Sequence, residues 1–295
     1  GLIAALLLLR ADGKNNIRQP FDYVGTIALT VGLSCLLLFI NRAPLEGISP
    51  GVAILGIVSI VALTSFVIVE KRSSFPVFDF SLLTKKLFSM AVASATLHFI
   101  AQAAFLFLMP FYLLQGLGLR PIEAGPVLMA LPVTRLFVSP VSGILSDKLQ
   151  SRTISTLGLI IMAVGYLALM NLDQGSSLMQ IVPGLLLAGI GSSIFLPPNN
   201  SVIMGSVPRE RLGMASAVIP VVRHVGMSLG ITLIGTFYSI RENAHREILY
   251  STGLEETELG IRAVIGGYGD GFIIAVCFVI LAVLCSAYRG KESKT

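Results

Sequence analysis

Apolar residues run almost without interruption through eight stretches of the chain, about 22–40, 51–69, 88–114, 124–145, 153–171, 179–205, 213–240 and 271–288. Apart from Arg135 and Arg223, charged residues gather in the short segments between them. About 20 apolar residues in a helix cross roughly 30 Å of hydrocarbon. Inside lipid the backbone must satisfy its own hydrogen bonds, which leaves only helices or a closed barrel. Barrel strands alternate with period two, and these runs do not. The pattern therefore predicts an all-α integral membrane protein. A shorter run, GLIAALLLLR at residues 1–10, has neither the basic leader nor the small-residue cleavage site of a signal peptide. It reads as the end of a span that begins before Gly1.

Composition agrees. Only 13% of residues are charged, against about 25% in soluble domains, and the mean hydropathy is +0.85. A net charge of +5 would suit nucleic acid. The charges form no helical stripe and no aromatic-interleaved patch, so a nucleic-acid partner is rejected. The basic excess instead reports topology. If the segment from Arg10 onward is cytoplasmic and sides alternate from there, 14 Lys and Arg fall on the cytoplasmic side and 5 on the other. That is the positive-inside bias. Arg135 and Arg223 lie inside spans. Cys35, Cys277 and Cys285 sit in apolar runs without metal spacing and read as small buried residues.

Two connecting segments stand out. Residues 70–86, EKRSSFPVFDFSLLTKK, set Phe75, Phe78 and Phe80 between charged ends. This fits either an amphipathic piece in the inner interface or a linker between two bundles. Residues 241–270 carry Glu242, Glu247, Glu255, Glu256 and Glu258 on the outer side. They read as a solvated, partly helical loop, with a cation-attracting vestibule as the sharper alternative.

Ionisable groups in the bilayer core are costly and face protein or water. Arg135, Arg223 and His224 lie near the middle of their spans, and no Asp or Glu lies deep in any of the predicted spans. A proton-driven protein would then carry its main carboxylate elsewhere. His98 is a titratable candidate, or a hydrogen-bonded histidine on a bundle-facing surface. His98, Gln102, Phe105 and Met109 share one helical face. That face fits a permissive substrate cavity, because methionine repacks and amides orient loosely. It fits ordinary helix packing as well. Asn199 and Asn200, which follow Pro197 and Pro198, are further cavity candidates. Prolines at 132, 140, 197 and 198 free backbone carbonyls within the membrane. They mark either a transport site built on broken helices or simple kinks. Gly226 and Gly230 form GxxxG, which permits close helix approach. No strand precedes the GIG of residues 189–191, so a dinucleotide fold is excluded. No nucleotide-binding, zinc-protease or hydrolase motif occurs. Nothing points to an enzyme, a cofactor or a metal.

Residues 143–148, GILSDK, with Arg152 beyond, resemble the GxxxD(R/K)xGR cytoplasmic loop of the major facilitator superfamily, with Gln150 and Ser151 in place of its Gly-Arg. Residues 184–217 and 221–237 resemble late spans of the 14-span drug:proton antiporters of that superfamily. They include a PxERxGxASA segment (Pro208, Glu210, Arg211, Gly213, Ala215–Ala217) and an RxxGxxxG helix (Arg223, Gly226, Gly230). The resemblance implies three parts: a truncated span and loop at 1–21, two central extra spans and the interfacial segment at 22–86, and a C-terminal six-helix bundle with its tail at 87–295. It further implies an N-terminal bundle of the same polypeptide as partner. Gly143, Asp147, Lys148 and Arg152 become a gating loop.

On this resemblance the expected function is proton-coupled efflux of amphipathic compounds by alternating access, in the plasma membrane. The expected partners are lipid, an amphipathic substrate and protons. Arg135 stands where a small or apolar residue is expected, which marks an anionic substrate group or a counter-charge. Two alternatives remain: a facilitator for one solute such as an organic anion, siderophore or sugar, and a membrane sensor or structural subunit without transport.

Overall fold

The computed structural model describes residues 23–72, 80–208, 212–251 and 255–290, leaving out the side chains of Pro44, Leu45, Arg72, Phe80, Asp147 and Lys148. Nine α-helices are described: α1 (Tyr23–Glu46), α2 (Pro50–Arg72), α3 (Lys86–Phe111), α4 (Pro121–Leu128), α5 (Ala130–Lys148), α6 (Ser151–Met170), α7 (Leu178–Gly205), α8 (Leu212–Tyr250) and α9 (Glu256–Tyr288). A π-helical turn, Tyr112–Gly116, extends α3. Taken with that turn, and with α4 and α5 as one broken span, they make eight membrane-length segments. The described residues include no strand.

α3 is the hub of the fold. It packs against α8, α9 and α7, while α6 joins α7 to α9 and α5 lies on α7. Two thirds of the α3 membrane window is buried, against 11% for α1 and 17% for α2. Those first two helices form a separate hairpin. It touches the bundle through α8, where the Asn41 amide donates to Ser228 Oγ (3.2 Å) and Thr232 Oγ1 donates to the Ile40 carbonyl (3.2 Å).

Glycine sets the closest seams. Without a driving force between apolar surfaces in lipid, helices associate where small residues let backbones approach. Gly158 and Gly165 of α6 repeat at seven residues, as do Gly184 and Gly191 of α7. A Cβ on Gly158 would sit 2.7 Å from the Gly191 carbonyl oxygen, and one on Gly165 2.8 Å from that of Gly184. Gly226 and Gly230 of α8 press onto Thr96, Phe99, Ile100 and Ala103 of α3.

Three buried tyrosines find a partner for the hydroxyl where the helices are dry. Tyr166 Oη donates to the Ala101 carbonyl (3.1 Å), Tyr268 Oη to Met109 Sδ (3.3 Å) and Tyr112 Oη to the Asp173 carbonyl (2.8 Å). Tyr112 and Tyr268 stack at 4.4 Å.

The structure departs from the sequence expectations in three places. The outer segment 241–270 is not chiefly a loop, because α8 continues to Tyr250 and α9 starts at Glu256. Spaced i,i+4 pairs support exposed helix: Arg246–Glu242 at 3.6 Å and Arg262–Glu258 at 2.6 Å. Asp270, expected in that loop, lies inside α9. It accepts from Arg241 (2.6 Å) and bonds His245 (2.9 Å), clamping α8 to α9. The charged connection at 142–152 is also mostly helix, with only Leu149 and Gln150 between α5 and α6. Finally, the span at 124–145 is broken at Met129. Pro132 lacks the N–H that would bond the Leu128 carbonyl.

Of the 70–86 segment, Phe75 and Phe78 lie outside the described residues. Phe80–Thr84 forms a 3₁₀ turn whose Leu82 is buried with Phe88, Ile203 and Val207.

The α6–α7 seam yields a test. Gly158→Val should destabilise the protein by about 1–3 kcal/mol through overpacking, read as a lower Tm in detergent. Gly205→Ala, with open space around it, should leave Tm unchanged.

Candidate functional site

Four helices bring polar side chains to one depth. At about 1.5 Å per residue, His98 of α3, Arg135 of α5, Ser192 of α7 and Arg223 of α8 each lie roughly 16–20 Å from the helix end on the Lys- and Arg-rich side. Half of a bilayer core is about 15 Å, so the four sit near the midplane.

They form a connected group. One terminal nitrogen of Arg135 donates to Ser192 Oγ (3.3 Å), and Ser192 Oγ shares a hydrogen bond with His98 Nε2 (3.2 Å). The Arg223 guanidinium lies over the Phe99 ring, 5.9 Å from its centroid, a cation–π contact. Phe99 and Phe195 flank the His98 imidazole at 5.1 and 4.8 Å. The two guanidiniums repel each other. Among the described residues neither is paired with a carboxylate. Arg135 Nε and His98 Nδ1 are buried without a hydrogen-bond partner. Arg223 itself is exposed, as is His224 beside it.

Prolines supply the local geometry. Pro198 cannot donate to the Ile194 carbonyl, and Ser142 Oγ of α5 takes that acceptor at 2.8 Å. A broken rung in α7 thus becomes a tie to α5, at a carbonyl two residues beyond Ser192. Pro140 and Pro220 interrupt α5 and α8 near the same level.

The other sequence candidates fall elsewhere. His98, Gln102, Phe105 and Met109 do share one face, and it is packed closed, each residue being 7% exposed or less. Asn199 is fully buried in a second polar group near the Lys- and Arg-rich end. Its Nδ2 donates to the Ala91 carbonyl (3.0 Å), while its Oδ1 accepts from Ser94 Oγ (3.2 Å) and Arg289 Nη1 (3.2 Å). Arg289, expected in a cytoplasmic tail, is 1% exposed and ties the end of α9 to α7. Asn200 is half-buried and makes no side-chain hydrogen bond to described residues. Gly143 and Arg152 are half-buried at the α5–α6 turn. The side chains of Asp147 and Lys148, and all of Glu210 and Arg211, lie outside the described residues.

Ser192, Ser142, Phe99 and Arg289 were not singled out from the sequence. Ser192 and Phe99 share the depth of Arg135 and Arg223, and counting each residue from its helix end would have found them.

Residues 1–231 match the family model described as Major Facilitator Superfamily. Over 244 residues the chain is 31% identical to the uncharacterized transporter YebQ of Escherichia coli strain K12, covering 79% of this chain and 52% of that protein. It is 27% identical to the riboflavin transporter RibZ of Clostridioides difficile strain 630 (81% and 52%). It is 29% identical to the multidrug resistance protein Stp of Mycobacterium tuberculosis (80% and 44%). The chain thus spans about half the length of the curated relatives it matches. A bacterial homolog of the human lysosomal transporter Spinster, solved inward-facing and unoccupied, shares the fold with TM-score 0.58 and 18% identity, covering 91% of this chain and 70% of that one.

The neighbouring amides give a paired test. Asn199→Ala removes an acceptor from a buried guanidinium and should cost about 2–3 kcal/mol, read as a fall in Tm. Asn200→Ala should leave Tm nearly unchanged, and equal effects at the two positions would contradict the buried tie.

Proposed function

The chain belongs to the Major Facilitator Superfamily, and from that premise we propose that it forms the second half of a proton-coupled efflux transporter for amphipathic compounds. α3 to α9 act as one six-helix bundle, with α1 and α2 as an accessory hairpin. A second bundle of the same polypeptide faces it across a central cavity, and the two rock to open that cavity to each side in turn. The observation that carries this reading is the midplane polar group, in a family whose members include relatives named for multidrug resistance.

The helix contacts fit a rocking role. The glycine seams let α6 slide with α7, and α8 with α3, as packed units. The two-residue α5–α6 turn leaves Asp147 and Lys148 in the last turn of α5, and in this reading they serve as the latch. The proton-carrying carboxylate belongs to the facing bundle. Arg135 and Arg223 set the potential it sees.

A carrier for a single solute is the second reading, favoured by the similarity to a riboflavin transporter. A substrate profile restricted to one compound class would select it.

Full-length protein in proteoliposomes should accumulate an amphipathic dye when a proton gradient is imposed, and nigericin should abolish that accumulation. Transport indifferent to the gradient would remove the coupling. Asp147→Asn should slow transport while insertion and Tm stay normal.

A further inference from the structure

The midplane group has an unmet electrostatic demand. Two guanidiniums share a low-dielectric level of the membrane, repel each other and have no carboxylate partner among the described residues. Charges in such surroundings are stable only when paired or solvated. Polarity alone would be satisfied by serines and carbonyls. Excess positive charge calls for an anion.

We propose that Arg135 and Arg223, backed by Ser192 and His98, form a subsite for the anionic head of an amphipathic solute, with a carboxylate as its simplest form. This rests on the transporter reading and names the substrate class of the same site. The donors are already oriented. The Arg223 guanidinium carbon lies 5.9 Å from the Phe99 ring centroid and the side chain makes no hydrogen bond to a described residue, which leaves its N–H groups for a ligand. A guanidinium edge matches a carboxylate with two parallel bonds. Arg135 spends one terminal nitrogen on Ser192 and keeps a buried Nε unpartnered. His98 holds Ser192 from behind through Nε2, which fixes the Arg135 contact. Arg223 is exposed and Arg135 half-buried, so an entering ligand reaches both. A carboxylate on the facing bundle is the other source of the same chemistry, and the experiment separates the two.

Three probes with one naphthalene body decide it: 2-naphthoate, 2-naphthylmethylammonium and 2-naphthylmethanol. Binding is measured by calorimetry on purified full-length protein, with no gradient present. Naphthoate should bind about tenfold more tightly than the other two. Arg135→Gln and Arg223→Gln should each weaken it by about tenfold or more, leaving the neutral probe unaffected. Arg223→Lys should recover only part, because an ammonium lacks the planar fork. Both Gln variants should keep or raise the Tm of the ligand-free protein, since each relieves an unpaired like-charge contact. Equal affinity for all three probes overturns the assignment, and so does full naphthoate affinity in both Gln variants. Loss of Tm in the Gln variants without naphthoate binding also overturns it, placing the counter-charge on the polypeptide. Because the assay needs no transport, an uncoupled or inactive carrier that still selects naphthoate leaves the subsite standing, and a coupled carrier indifferent to head charge removes it.

Discussion

A polar group in hydrocarbon has no water to fall back on, so each donor and acceptor in this chain must be met by another part of the protein. Much of the architecture follows from that constraint. It makes the eight membrane segments helical. It places serines beside carbonyls that proline has left bare, as Ser142 does for Ile194. It gives the buried tyrosine hydroxyls of Tyr112, Tyr166 and Tyr268 an oxygen or sulfur to point at. A polar contact thus reports which helices are neighbours and at what level.

Two polar groups meet the constraint in different ways. Around Asn199 the amide is used on both sides: two donors, Ser94 Oγ and the Arg289 guanidinium, converge on its Oδ1, and its own N–H finds the Ala91 carbonyl. Such a group fastens α3, α7 and α9 together at one end. Around Arg135 the balance stays open, with two cations, a serine and an imidazole at one depth. A fully satisfied network stiffens a structure, and an unsatisfied one is costly unless something completes it. The contrast separates a group that fastens helices from one whose two cations have no carboxylate partner among the described residues.

Glycine seams and proline breaks divide the remaining work. The seams at Gly158–Gly191 and Gly226–Phe99 bring helices together at close range. The breaks at Met129 and Pro198 lie on α4–α5 and α7, two of the helices that carry the midplane group or lead into it. At the end away from the Lys- and Arg-rich side, the Asp270 clamp holds long extensions of α8 and α9 together, well beyond what a 30 Å core requires.

The run of apolar residues by itself determined the number of spans, their order and the basic side of the membrane, because hydrophobicity and charge are local properties that any window along the chain reports. The motifs at 143–148, 184–217 and 221–237 determined the family for the same reason. The lengths of α8 and α9 escaped, since charged residues past Ile240 resemble a loop until cross-helix pairs such as Arg241–Asp270 hold them helical. Tertiary structure alone decided which polar residues meet. His98, Asn199 and Arg135 look alike in sequence, as isolated polar residues in apolar surroundings. One was found sealed behind a serine, one locked to a C-terminal arginine and one beside a second cation with no counter-charge among the described residues. Those fates depend on helix depth and rotation, which packing sets and no single helix encodes.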